Sequence, residues 1–135
     1  MTNSRAAVDT NIVVHLHDGE DAHKQAIALN IMAQGPVISP QVVSETLNVL
    51  RRLLRVPKAE LLALVTATLA PCHIQPLGHS TLALANHLLH RYDFQLFDAL
   101  VVAGALEARC DVLYSADFQH NQLIEGRLRI FNPFR

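Results

Sequence analysis

Apolar residues along this chain fall into short β-branched runs, which read as buried strands, and longer stretches with apolar positions three and four apart, which read as helices. The first run, AAVDTNIVVHL, is apolar apart from Asp9-Thr10-Asn11, so it predicts a buried strand that surfaces at its carboxyl end with a carboxylate at its mouth. Residues 20 to 34 predict a helix closed by Gly35-Pro36, Val37-Ile38 a short strand, and Ser39-Pro40 the opening of a helix to about Arg55. Pro57 starts another helix through Leu69, His73 to Leu77 reads as a short strand, and Ser80 is placed to cap a helix reaching Arg91. Phe97 to Arg109 is apolar on nearly every side, which predicts a central helix covered all round. Asp111 to Tyr114 follows as a strand, Ser115-Ala116-Asp117 as its exit turn, and Leu128 to Phe131 as a last strand at the sheet edge.

Alternating strands and helices predict an α/β fold of three layers, α/β/α, with a central parallel sheet of four to five strands, right-handed crossovers and helices on both faces. The chain has 135 residues, which suits a single domain over 1–135 with one core. Half of it is apolar (50%) and 17% is charged, with five Gly and six Pro scattered singly, so no linker or low-complexity tail is expected.

Charge and cysteine content narrow the partners and the compartment. A formal net charge of -1 gives no global attraction to phosphate, so a nucleic acid would have to be held by a local basic patch or by metal ions. Cys72 and Cys110 stand without a CxxC, which fits a reduced, cytoplasmic protein. MTNSRAAVDTN contains no signal-peptide apolar region, and the longest apolar stretch, Ala99 to Leu106, is far short of the ~20 residues a membrane span needs. Neither export nor membrane insertion is expected.

In open α/β sheets, ligands bind beyond the carboxyl ends of the strands. The polar residues sent there are mainly acids: Asp9 and Asp117 at strand ends, Asp98 in the first turn of its helix, and Glu45 in the second turn of the helix after Val37-Ile38. On a helical wheel Glu45 lies at the border of the apolar arc, from where its side chain can reach inward. Crowded, desolvated carboxylates repel one another and persist mainly when a cation compensates them. Mg²⁺ or Mn²⁺ is the natural partner, because such ions take oxygen ligands, activate water and stabilise the leaving oxygen of a phosphodiester.

Taken together, Val8-Asp9-Thr10-Asn11-Ile12, Glu45 within VVSETLNVL, Phe97-Asp98-Ala99-Leu100 and LYSADF ending at Phe118 resemble the PIN domain family, in order and spacing across nearly the whole chain. The resemblance implies a parallel sheet flanked by helices and Mg²⁺- or Mn²⁺-dependent endoribonuclease activity, notably that of the VapC-like toxins of bacterial toxin-antitoxin pairs. It also implies that Asp9, Glu45, Asp98 and Asp117 are the catalytic, metal-site acids, that Asn11 steadies Asp9, and that Ser115 is the small hydroxyl residue beside the fourth acid. An RNA substrate, a cognate antitoxin and a homodimer follow from the same likeness. One departure is the stretch after Asp117, where many VapC-like chains place another acid and this one has Gln119, His120 and Asn121.

Taken singly, each of these residues has an ordinary reading. Asp9 suits an Asx turn, Asp98 a helix cap, and Glu45 a solvated helix face. Arg51, Arg52 and Arg55 lie opposite the apolar arc, either as a solvated face or as a rail for phosphates or an acidic partner, with Arg52 on nearly the same side as Glu45. The eight His include His15-x-His17 and His87-x-x-His90, but without a zinc-site spacing they read as polar surface; His120 lies nearest the acids. Two other functions compete: a PIN fold kept as a catalytically weak RNA-binding or protein-interaction module, and a receiver-like phosphotransfer domain. The latter lacks its paired acids and late Lys.

Overall fold

The computed structural model describes residues 4–135; Met1 to Asn3, part of the stretch read as lacking a leader, lie outside the described residues. The first strand, β1 (Ala6–Val8), is short because Asp9 stops it. Asp9 keeps an extended backbone (φ -89°, ψ 170°) while its side chain accepts from the Thr10 N–H, so it serves as the N-cap of α1 (Thr10–His17). Ile12 to Leu16 was expected to belong to the strand run; instead its apolar residues form a helix, with Ile12 and Val13 fully buried. Capping and packing override the β-branched propensity of IVV.

The chain then runs through α2 (Ala22–Met32), capped by Asp21, β2 (Val37–Ile38) and α3 (Pro40–Leu54). In α3, Ser39 accepts from the Val42 N–H and Pro40 takes the first turn, where a missing N–H costs nothing. Next come α4 (Lys58–Leu69), β3 (His73–Ile74), α5 (His79–Arg91), α6 (Leu96–Glu107), β4 (Val112–Tyr114), β5 (Leu123–Ile124) and β6 (Leu128–Phe131). Ser80 does not cap α5: Gly78 holds that position and the Thr81 hydroxyl accepts from its N–H, while Ser80 donates to Glu107 of α6. As expected, α6 is the central helix, buried continuously from Val101 to Leu106.

The six strands order as β3-β2-β1-β4-β6-β5, all parallel except β5 against β6. The α/β class stands, and the sheet has six strands where four to five were expected. Leu128 to Phe131 is an interior strand, not the edge; the edge is β5, a two-residue strand hidden in a polar stretch. Strand order reverses between β1 and β4, adjacent strands joined at their ends where the Asp9 N–H donates to Tyr114 O. Such a switch point opens a crevice at the carboxyl edge, between the loops that leave in opposite directions.

Candidate active site

Both strands at the switch point end in an acid-bearing turn. Asp9, only 4% exposed, accepts from Thr10 N through Oδ1 (2.8 Å) and from the Ser115 hydroxyl through Oδ2 (2.8 Å). Ser115, fully buried, accepts in turn from the Asp117 N–H at 3.1 Å, so one hydroxyl ties the first acid to the backbone of the last. The next two residues each hold another acid. Thr10 Oγ1 donates to Glu45 Oε2 (2.8 Å), and Asn11 Nδ2 donates to Asp117 Oδ2 (3.0 Å) while its Oδ1 accepts from Ala116 N. Asn11 was expected to steady Asp9; its amide instead fixes the Asp117 turn.

Asp98 completes the group from the first turn of α6, and Glu45 stands in the second turn of α3. Both helices begin at the carboxyl edge of the sheet, where their N-termini add positive potential. Burial raises the Asp9 pKa from 3.8 to about 6 against the lowering effect of the Ser115 and Thr10 hydrogen bonds, with Asp117 and Asp98 adding to the rise. Asp98 is also pushed up, by burial first and then by Asp117 and Glu45. The four acids thus act on each other electrostatically, and the edge favours any positive charge that lowers this strain.

An all-oxygen donor set, with Asp9 buried, Asp98 half-buried and Glu45 and Asp117 exposed beside them, fits a hard divalent cation. Each Asp9 oxygen keeps a lone pair beyond its one hydrogen bond. Among the described residues, no three His, Cys, Asp or Glu side chains already gather as a cation cage. Asp9, Glu45, Asp98 and Asp117 are the side chains that would hold such a cation.

Two clefts meet at Asp98. One, of about 860 Å³, is lined by α3, α4 and α6, among them Glu45, Asp98, Leu62, Val101, Arg51 and Lys58. Arg51, not Arg52, thus lines the cleft that holds Glu45 and Asp98, with its guanidinium donating to Asn48 Oδ1 at 2.8 Å. The second, of about 540 Å³, lies toward Asp117 and the loop after it. His120 is tied away from the acids: its Nδ1 accepts from the Asn132 N–H, and its ring packs on Phe131 at 4.7 Å. The His pairs serve packing and polar contacts, with His15 against Phe134, His17 on Thr68 and His87 on Glu125. The sequence alone assigns Thr10 no role, although a hydroxyl directly after a capping Asp is the available signal.

The PIN domain family model matches residues 6–124, and the chain belongs to that family. Among solved structures, a toxin-antitoxin complex from Klebsiella pneumoniae superposes with a TM-score of 0.72 at 20% identity, covering 96% of this chain and 98% of that one. VapC20 of Mycobacterium tuberculosis, a toxin that cleaves the sarcin-ricin loop, superposes with a TM-score of 0.65 at 21% identity, covering 83% of this chain and 89% of that one. Among curated protein sequences, none matches this chain.

Proposed function

We propose that this protein is a Mg²⁺- or Mn²⁺-dependent endoribonuclease that uses Asp9, Glu45, Asp98 and Asp117 to hold the cation, and that it acts as the toxin of a toxin-antitoxin pair in the cytoplasm. The observation that carries the reading is the tripeptide Asp9-Thr10-Asn11, whose three side chains bind Ser115, Glu45 and Asp117 and so tie three of the four acids to one helix start. When bound, the cation supplies an acidified water and charge for the leaving oxygen. Burial raises the Asp9 pKa to about 6, so holding a cation there would favour its ionised form, and the Ser115 hydroxyl keeps the carboxylate oriented. Thr10 and Asn11 each fix one carboxylate oxygen of the exposed Glu45 and Asp117. Arg51 and Lys58 offer contacts to phosphates flanking the reacting one.

The two structural neighbours, one a toxin-antitoxin complex and the other an RNA-cleaving toxin, support the toxin assignment, an RNA substrate and an antitoxin partner; an antitoxin segment covering the acidic edge is part of the same proposal. A homodimer, usual among PIN relatives, belongs to the same proposal. The activity is tested on an RNA ladder with Mn²⁺, with EDTA and with Asp9→Asn. Cleavage in Mn²⁺ alone is expected; RNA binding without cleavage would make the protein an interaction module, and cleavage in EDTA would exclude the metal mechanism.

A further inference from the structure

The cavity of about 540 Å³ shares Asp98 and Asp117 with the acidic edge and is also lined by Phe118, Gln119 and Gln122. Whatever fills it is therefore contiguous with whatever reacts at the acids. Asp93 also lines it, and no lysine or arginine does, so a third carboxylate makes it hostile to phosphate and to acidic peptides. Its volume lies within the roughly 300–1,000 Å³ common for small-ligand sites, ample for one nucleotide.

The walls carry the tools of base recognition. Among the described residues, the carboxamides of Gln119 and Gln122 have no side-chain hydrogen bond within the protein. Their backbones, in contrast, are fixed: Gln122 N–H donates to Gln119 O, Gln122 O accepts from Ile130 N–H (2.8 Å), and Asn121 N–H donates to Ile130 O (2.8 Å). The Phe118 ring is held edge-on to Phe94 at 5.7 Å. Unpaired carboxamides on a fixed backbone, an aromatic ring and a carboxylate suit a flat, neutral group with hydrogen-bonding edges, which in a nucleic acid is the base.

We infer that this cavity is a nucleobase subsite that takes the base beside the cleaved bond and favours bases with an exocyclic amino group, adenine, cytosine and guanine, over uracil. Carboxylates only accept, so Asp93 pairs with an amino group, while uracil offers a single N3–H flanked by two carbonyls that face the carboxylate unfavourably. Carboxamides pair with donor and acceptor together, as they do with the adenine edge. The subsite rests on the nuclease reading above, because its contiguity with the acids is what makes its occupant part of the substrate.

The test uses oligoribonucleotides that differ only in the bases flanking the cleaved bond, with kcat and KM measured in Mn²⁺ for the wild type, a Gln119→Ala/Gln122→Ala variant, Asp93→Asn, and Gln34→Ala as a control at the opposite strand ends. The wild type and the control are expected to prefer an amino-bearing base about tenfold or more. In the two cavity variants the ratio should collapse toward one, chiefly through a higher KM for the preferred substrate. The same oligonucleotides are titrated in Ca²⁺ by fluorescence anisotropy. If nothing is cleaved, the nuclease reading fails, and the subsite is still decided by whether base preference in binding disappears in the variants. No preference in the wild type, or a preference intact in both variants, overturns the subsite; the latter result would leave the cavity to a protein partner.

Discussion

Asp9 combines three duties that pull against one another: it ends β1, caps α1, and keeps a carboxyl group almost without solvent. The folded protein holds the Asp9 proton up to about pH 6, whereas the unfolded chain gives it up near 3.8. The folded state therefore binds more protons between these values, and the stability of the metal-free protein should fall as pH rises through that window, by roughly 3 kcal/mol at the limit. Thermal melts in EDTA at pH 4.5 and 7.5 check this; added Mn²⁺ should recover most of the loss at the higher pH, since a cation stabilises the ionised form. By the same logic Asp9→Asn, which removes the charge but keeps an acceptor for Thr10 N–H, should melt no lower than the wild type in EDTA at pH 7.5 while losing at least a hundredfold in cleavage. Melting and cleavage falling together would mean that Asp9 is only structural. Thr10→Val keeps the shape but frees Glu45, an interaction of about 1 kcal/mol, so cleavage should drop about fivefold or more, with recovery in Thr10→Ser. The positions of Asp9, Asp98 and Asp117 were legible because strand exits and helix starts are written locally. The partners of Thr10 and Asn11 were not, because they lie 35 and 106 residues away.

At the scale of elements, periodicity located most helices, and its failures have physical causes. Ile12 to Leu16 looks β-branched and strand-like, but its cap and its packing on α2 and α3 decide for helix. β5 escaped notice because Leu123-Ile124 is too short for a period, and it pairs with β6 through a turn with left-handed Glu125 (φ 53°) and Gly126 (φ 67°). That turn is anchored from α5: the Tyr92 hydroxyl accepts from Glu125 N–H (2.9 Å) and donates to Oε2 (2.9 Å), and His87 reaches Oε1 at 2.8 Å. Side chains so far apart in sequence leave no local signature. The turn between α2 and β2 depends on Gly35, whose φ of 66° is left-handed and where a Cβ would stand 2.6 Å from the Pro71 carbonyl oxygen. Gly35→Ala should cost about 1–3 kcal/mol, read as a melting point several degrees lower, with the cleavage of the folded fraction retained. An unchanged melting point would show that the β2–β3 edge yields.

Across the whole molecule, the switch point between β1 and β4 is what turns scattered acids into one edge. Its place could be anticipated from strand and helix order, since parallel crossovers bring every strand end to the same side. The two clefts that meet at Asp98 could not, because they depend on how α4 and the loop after Asp117 lie against α6. The central claim is that the acids act together on one cation. Isothermal titration of the RNA-free protein with Mn²⁺ at pH 6, in two buffers of different ionisation enthalpy, measures this directly. The expected result is binding accompanied by proton release from Asp9, weakened at least tenfold by Asp98→Asn. Binding of equal strength in that variant, or no Mn²⁺ binding by the wild type, would contradict it.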